Sequence, residues 1–80
     1  MAVRIVFLGK LADLAGASEI AAAAPLDWRG LLTALPGSVG EAVNAERTKV
    51  AVNGTLLPDK RALVAGDGDE VALLPPVSGG

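Results

Sequence analysis

Two stretches of this 80-residue chain carry residue types that do chemistry: the terminal pair Gly79-Gly80, and the acidic, glycine-containing run Ala65-Gly66-Asp67-Gly68-Asp69-Glu70. The acidic run reads weakly. Three acids in a glycine turn fall short of a calcium-loop pattern, and Gly66-x-Gly68 lacks the third glycine and the following helix of a dinucleotide fingerprint. A solvated turn is the expectation there. The terminal pair offers a more specific chemistry. Two glycines make the thinnest end a polypeptide can present, able to enter a narrow channel in another protein, and they leave only the carboxylate of Gly80 to react. A carboxylate is a poor electrophile, but joined to AMP it becomes a mixed anhydride that a sulfur donor displaces, and the product is a thiocarboxylate. From the glycines alone, a frayed end is the simpler reading. The residues that precede them decide between the two.

Composition narrows the alternatives. There are no cysteines and no histidines, which excludes disulfides, thiolate catalysis, structural zinc and imidazole acid–base chemistry within this chain. A terminal thiocarboxylate would carry sulfur without a thiol. Formal charge is −2, with one Phe, one Trp and no Tyr; that argues against a nucleic-acid surface of basic patches and stacking aromatics. The chain is 51% hydrophobic, yet no run reaches the ~20 apolar residues of a crossing helix, and no cleavage site precedes Lys10. Neither membrane insertion nor a signal peptide is expected, so the expected location is cytoplasmic.

The elements that would hold this end follow from periodicity. Ala2 to Leu8 alternates as a strand, with Val3, Ile5 and Phe7 on one face and Arg4, Val6 and Leu8 on the other. Being apolar on nearly both faces, it is expected at the sheet centre. Lys10 to Ala15 forms a helical turn ended by Gly16, and Ser18 to Ala23 a second strand. Asp27 caps a helix from Trp28 to Leu35 that buries Leu31, Leu32 and Leu35. Ser38 and Glu41 have capping-box spacing for a shorter helix through about Asn44. Lys49 to Val52 and Thr55 to Leu57 flank Asn53-Gly54, the strongest short hairpin signal. Glu70 to Leu74 is the last strand, expected parallel to the first. The reading is one α+β domain, residues 1–74, with a mixed sheet of four to five strands covered by one main helix.

Residues 75–80 leave that sheet as a flexible extended tail, since neither Pro75 nor Pro76 can donate a ladder hydrogen bond. Six residues reach roughly 20 Å. Leu8, Leu74 and Val77 are expected to form an apolar patch around the tail's exit, with Leu74 touching a partner. Trp28 is expected to pack on the sheet. Lys60-Arg61 reads as solvated charge limiting edge pairing, the other reading being a contact for an acidic partner.

The run Asp67 to Gly80, ending Leu74-Pro75-Pro76-Val77-Ser78-Gly79-Gly80, resembles the acidic turn, last strand and Pro-Pro-Val-Ser-Gly-Gly ending of the molybdopterin synthase small subunits. These are β-grasp, ubiquitin-like sulfur carriers related in fold to the thiamine-pathway carrier. Leu14-Ala15-Gly16 and Ala51-Val52-Asn53-Gly54 add to the likeness, which spans essentially the whole chain. Leu74 stands where many members have Phe, and Ala12 where many have a basic residue; both bear on docking.

The resemblance implies that Gly80, with Gly79, is the working end. An adenylating enzyme of the ubiquitin-activating type would charge it with ATP, a sulfurtransferase would make the thiocarboxylate, and the tail would enter the synthase large subunit. There sulfur would pass to cyclic pyranopterin monophosphate. The chain would bind no cofactor and be non-catalytic alone, working in a heterotetramer, with Leu8, Leu74, Pro75, Pro76, Val77 and Ser78 touching partners. The alternatives are a sulfur carrier for thiamine, tRNA thiolation or a sulfur amino acid, and a ubiquitin-like modifier or binding module.

Overall fold

The computed structural model describes residues 1–35 and 37–76. Alternation in β1 (Ala2–Phe7) buries Val3, Ile5 and Phe7 while Arg4 is exposed. The strand stops one residue short of the expected Leu8, because Gly9 at φ 55° turns the chain into helix α1 (Lys10–Ala15). Gly16, left-handed at φ 72°, ends α1 as expected and donates its N–H to the Ala12 carbonyl. Strand β2 (Glu19–Ala23) then returns antiparallel to β1.

Strand β3 (Leu26–Asp27) leads directly into helix α2 (Trp28–Ala34). The Asp27 carboxylate accepts a 2.7 Å hydrogen bond from the Gly30 N–H, satisfying one orphan donor of the first turn. Helix α3 (Gly37–Asn44) buries Val39 and Val43. It begins at Gly37, so Ser38 lies inside the first turn and is not at the cap position that its spacing to Glu41 suggests. Strands β4 (Lys49–Val52) and β5 (Thr55–Leu56) form the hairpin, with Asn53 at φ 50° and Gly54 at φ 83°. Positive φ at both central residues is what the tightest hairpin turn requires.

A 3-10 turn (Lys60–Ala62) precedes β6 (Val64–Ala65), and β7 (Glu70–Leu74) closes the order. The sheet runs β2-β1-β7-β4-β5, with β1 and β7 parallel and the other pairs antiparallel. β1 and β7 therefore lie inside the sheet, as the apolar first strand requires. A two-stranded ladder of β3 with β6 was not expected; two-residue strands are too short to show a period. One core joins Ile5, Leu31, Val39, Val50, Leu63 and Leu73 across the sheet and its helices. Trp28 packs against that core, as expected.

The turn before β7 is exposed to solvent at Asp67 and Gly68, as expected, and it is also engaged by its neighbours. Asp67 Oδ1 accepts from the Ala2 N–H at 2.8 Å. Asp69 accepts from the Gly66 N–H at 2.8 Å and from Asn53 Nδ2 at 3.0 Å, while Asn53 Oδ1 accepts from the Glu70 N–H at 2.9 Å. Arg4 pairs with Glu70. The hairpin and the acidic turn thus fix where β7 starts.

The Gly66 N–H first, and then the Asn53 amide, hold the Asp69 carboxyl below its ordinary pKa. A depressed folded-state pKa contributes stability that is present above the unfolded value and lost as pH falls through the folded one. Acidification below about pH 4 is therefore expected to lower the melting temperature. Asp69→Asn should flatten that acid limb, measured as melting temperature against pH for both proteins.

Lys60 is also structural. Its Nζ donates to the carbonyls of Val43 at 2.9 Å and Thr48 at 3.0 Å, and to that of Ala45, and it sits 5.6 Å from the centroid of the Trp28 ring. It binds the chain between α3 and β4, where helix-end carbonyls have no intrahelical partner. Desolvation, then the nearby Arg61 and Lys49 charges, lower its pKa. Lys60→Met should cost on the order of 2 kcal/mol in urea unfolding, while Arg61→Ala, at an exposed site, should change little.

Candidate functional site

The site read from the sequence is the chain's C-terminal end and the surface from which it departs. Val77, Ser78, Gly79 and Gly80 lie outside the described residues. The residues that present them are described. β7 is held on one side by β1 and on the other by β4, so its end is fixed from both flanks: Phe7 aligns with Leu73, and Lys49 with Leu74. The Leu8 N–H adds a 3.2 Å bond to the Leu73 carbonyl, one position beyond the last paired residue of β1.

Leu8 and Leu74 are thereby brought to the same end of adjacent strands. Leu8 is 40% exposed, Leu74 and Pro75 are half-buried, and Pro76 is exposed. Alternation along β7 sends Val71 and Leu73 into the core and Ala72 and Leu74 to the opposite face of the sheet. Val6, Ala51 and Leu56 share that face through their register with Ala72. Leu56 there is 54% exposed. The result is an apolar strip that runs to the start of the tail, on the side of the sheet away from the core.

Gly9 is a positioning residue that the sequence reading missed. A Cβ built there would lie 3.2 Å from Pro75 Cγ, and the backbone is at φ 55°. The close approach lets Pro75 seat against the turn after β1. The sequence signal, a lone glycine between a strand and a short helix, is common to many turns and does not point to a proline 66 positions away. Ala12 packs against the core and Lys10 is exposed at the start of α1.

A mixed sheet with a parallel inner pair, a core between one sheet face and the helices, and a last strand leading from the sheet interior into Pro75-Pro76 define a ubiquitin-like β-grasp domain. Within that class the chain belongs to the ThiS family, whose model matches residues 5–80. It is a ThiS-like sulfur-carrier domain. No curated protein matches it in sequence.

Solved structures do match. A chain from the complex of subunits 1 and 2 of the molybdopterin-converting factor of Helicobacter pylori is 28% identical over 100% of both chains, with a TM-score of 0.67. The small archaeal modifier protein 1 of Haloferax volcanii is 26% identical over 100% of both chains, with a TM-score of 0.70. That of Methanosarcina acetivorans, at 21% identity and a TM-score of 0.78 over 99% of this chain and 96% of its own, shows the shared fold. Among the described residues no helix is long and apolar enough to cross a membrane.

Proposed function

We propose that this protein is the sulfur-carrying small subunit of a molybdopterin synthase. The observation that carries the reading is the Pro75-Pro76-Val77-Ser78-Gly79-Gly80 ending, set on a last strand that is clamped from both flanks. The end-to-end likeness to the Helicobacter pylori chain, which is in complex with a second subunit, supports it. Residues 1–74 act as the holder and residues 75–80 as the tail. From Pro76, four residues can reach about 13 Å into a partner.

The carboxylate of Gly80 attacks the α-phosphorus of ATP in an adenylating enzyme of the ubiquitin-activating type, and pyrophosphate leaves. The persulfide of a sulfurtransferase then displaces AMP: a C–S bond forms as the C–O bond to phosphate breaks, and a second thiol of the sulfurtransferase cleaves the resulting acyl disulfide, leaving its own disulfide and Gly80 as a thiocarboxylate. In the large subunit the sulfur passes to cyclic pyranopterin monophosphate, and water releases the carboxylate for another round. This chain contributes reach, thinness and placement; the large subunit contributes the pocket and the acid–base groups. The working assembly is a cytoplasmic heterotetramer of two small and two large subunits, and this chain binds no cofactor of its own.

The likeness to the archaeal modifier of Haloferax volcanii favours a second reading, in which Gly80 is joined to lysines. Reconstitution separates the two. The thiocarboxylate form, mixed with the large subunit and cyclic pyranopterin monophosphate, should yield molybdopterin in proportion to the carrier added. Lysine-linked conjugates in the source cell, with no molybdopterin formed in vitro, would support the modifier reading. Sulfur transfer only to a thiazole, RNA or sulfur amino acid acceptor would move the chain to another sulfur pathway.

A further inference from the structure

Charge on this chain is segregated. Of its seven Lys and Arg residues, Arg47, Lys49, Lys60 and Arg61 line two shallow grooves, while only Glu46 and Asp59 of its nine acids do so. Four cations against two anions make this surface locally positive on a chain whose formal charge is −2. The grooves share Glu46 and Lys49 and so adjoin: one reaches Pro58 and Arg61, the other Pro76 at the start of the tail.

Not all of these charges are available. Lys60 is spent on the carbonyls of Val43, Ala45 and Thr48. The Asp59 carboxylate caps its own turn, accepting from the Arg61 N–H at 3.0 Å. Arg47, Lys49 and Arg61 are exposed, and among the described residues none has an ion-pair partner. Lys49 and Arg61 line the first groove and Arg47 and Lys49 the second, so the three cations are distributed over both.

We infer that this strip is a docking groove for an extended acidic segment of the protein that receives the tail. The inference rests on the reading that the tail enters a partner. A phosphate group is best held by donors that converge on it, and the most enclosed cation, Lys60, is already satisfied. Carboxylates repeated along an extended chain match cations repeated along a groove. Because the groove ends at Pro76, an acidic segment lying in it would sit beside the mouth that takes residues 77–80. Such complementarity acts mainly on the rate of association and makes it sensitive to salt.

The test is stopped-flow association of the intact chain with the synthase large subunit at about 50 mM and about 300 mM salt. Arg47→Glu with Lys49→Glu should slow low-salt association about tenfold and flatten the salt dependence, with little change in dissociation. The Arg47→Gln, Lys49→Gln pair, which perturbs the fold least, should fall between. Association of the reversed pair at the wild-type rate with the wild-type salt dependence would overturn the inference. If the wild-type chain does not bind the large subunit at all, the molybdopterin reading fails, and the groove is judged by titrating the isotope-labelled chain with a hexaglutamate peptide and with AMP. Amide shifts at Arg47, Lys49 and Arg61 with the peptide support the groove; shifts with AMP alone, or with neither, overturn it.

Discussion

Deletion of Gly80 is expected to abolish sulfur delivery while leaving the fold intact. Among the described residues the core runs from Val3 to Leu73, so the deletion should change unfolding free energy by less than about 0.5 kcal/mol. The chemistry is less tolerant. Under the proposed function, removing one residue would leave the reacting carboxyl about 3.3 Å short of the position that an adenylating site and a synthase pocket would each require. A displacement of only about 1 Å from a reacting centre commonly costs on the order of a hundredfold in rate. Product formation should fall below detection in a coupled assay, with melting temperature unchanged as the control.

The second large effect divides two adjacent leucines. Leu73→Ala empties a site that is fully buried in the core cluster, and removing such a side chain costs about 3 to 4 kcal/mol. Small domains of this size hold on the order of 5 kcal/mol in all, so a measurable unfolded population is expected at 37 °C. Leu74→Ala removes a half-buried side chain on the opposite face and should cost about 1 kcal/mol or less. It should nonetheless weaken docking about tenfold or more, because it takes an apolar anchor from the strip beside the tail. Urea unfolding and calorimetric binding, measured on both variants, read the two outcomes separately. Equal losses of stability would contradict the assignment of Leu73 and Leu74 to opposite faces.

Much of this architecture was legible wherever a signal is local. Alternation put Val3, Ile5 and Phe7 on one face, which the structure shows to be the core face; Asp27 marked a helix start; Asn53-Gly54 marked a hairpin; and the parallel pairing of the first and last strands followed from their apolar character. What stayed hidden depends on distant partners. The acceptors of Lys60 are carbonyls 12 to 17 positions away, and backbone carbonyls carry no residue-type signature. Asn53 was read for its turn, correctly, but its side chain also ties the hairpin to Asp69 and Glu70, 16 and 17 positions on. The seat of Pro75 against Gly9 is likewise a contact between chain segments that only the folded sheet brings together.

The candidate site divides the same way. Gly80 was put forward from the Pro75-Pro76 stretch before the terminal glycines and from the family resemblance; it lies outside the described residues, and its role is part of the proposal. Leu8 and Leu74 were legible because parallel pairing of the first and last strands puts their ends together. The basic groove was legible only in part. Lys60-Arg61 stood out as a charged pair, but the join to Arg47, Lys49 and Pro76 comes from tertiary structure. Lys60 itself proved to be a structural tie.

The most direct test of the central claim is an intact-mass spectrum of the chain after incubation with ATP, a sulfur source and the source organism's soluble extract, beside a Gly80-deleted control. A gain of about 16 Da, confined to the intact chain, is expected, because the thiocarboxylate replaces one oxygen of Gly80 by sulfur. An unchanged mass, in an extract that charges a known carrier, would contradict the sulfur-carrier account and leave the binding-module reading in its place.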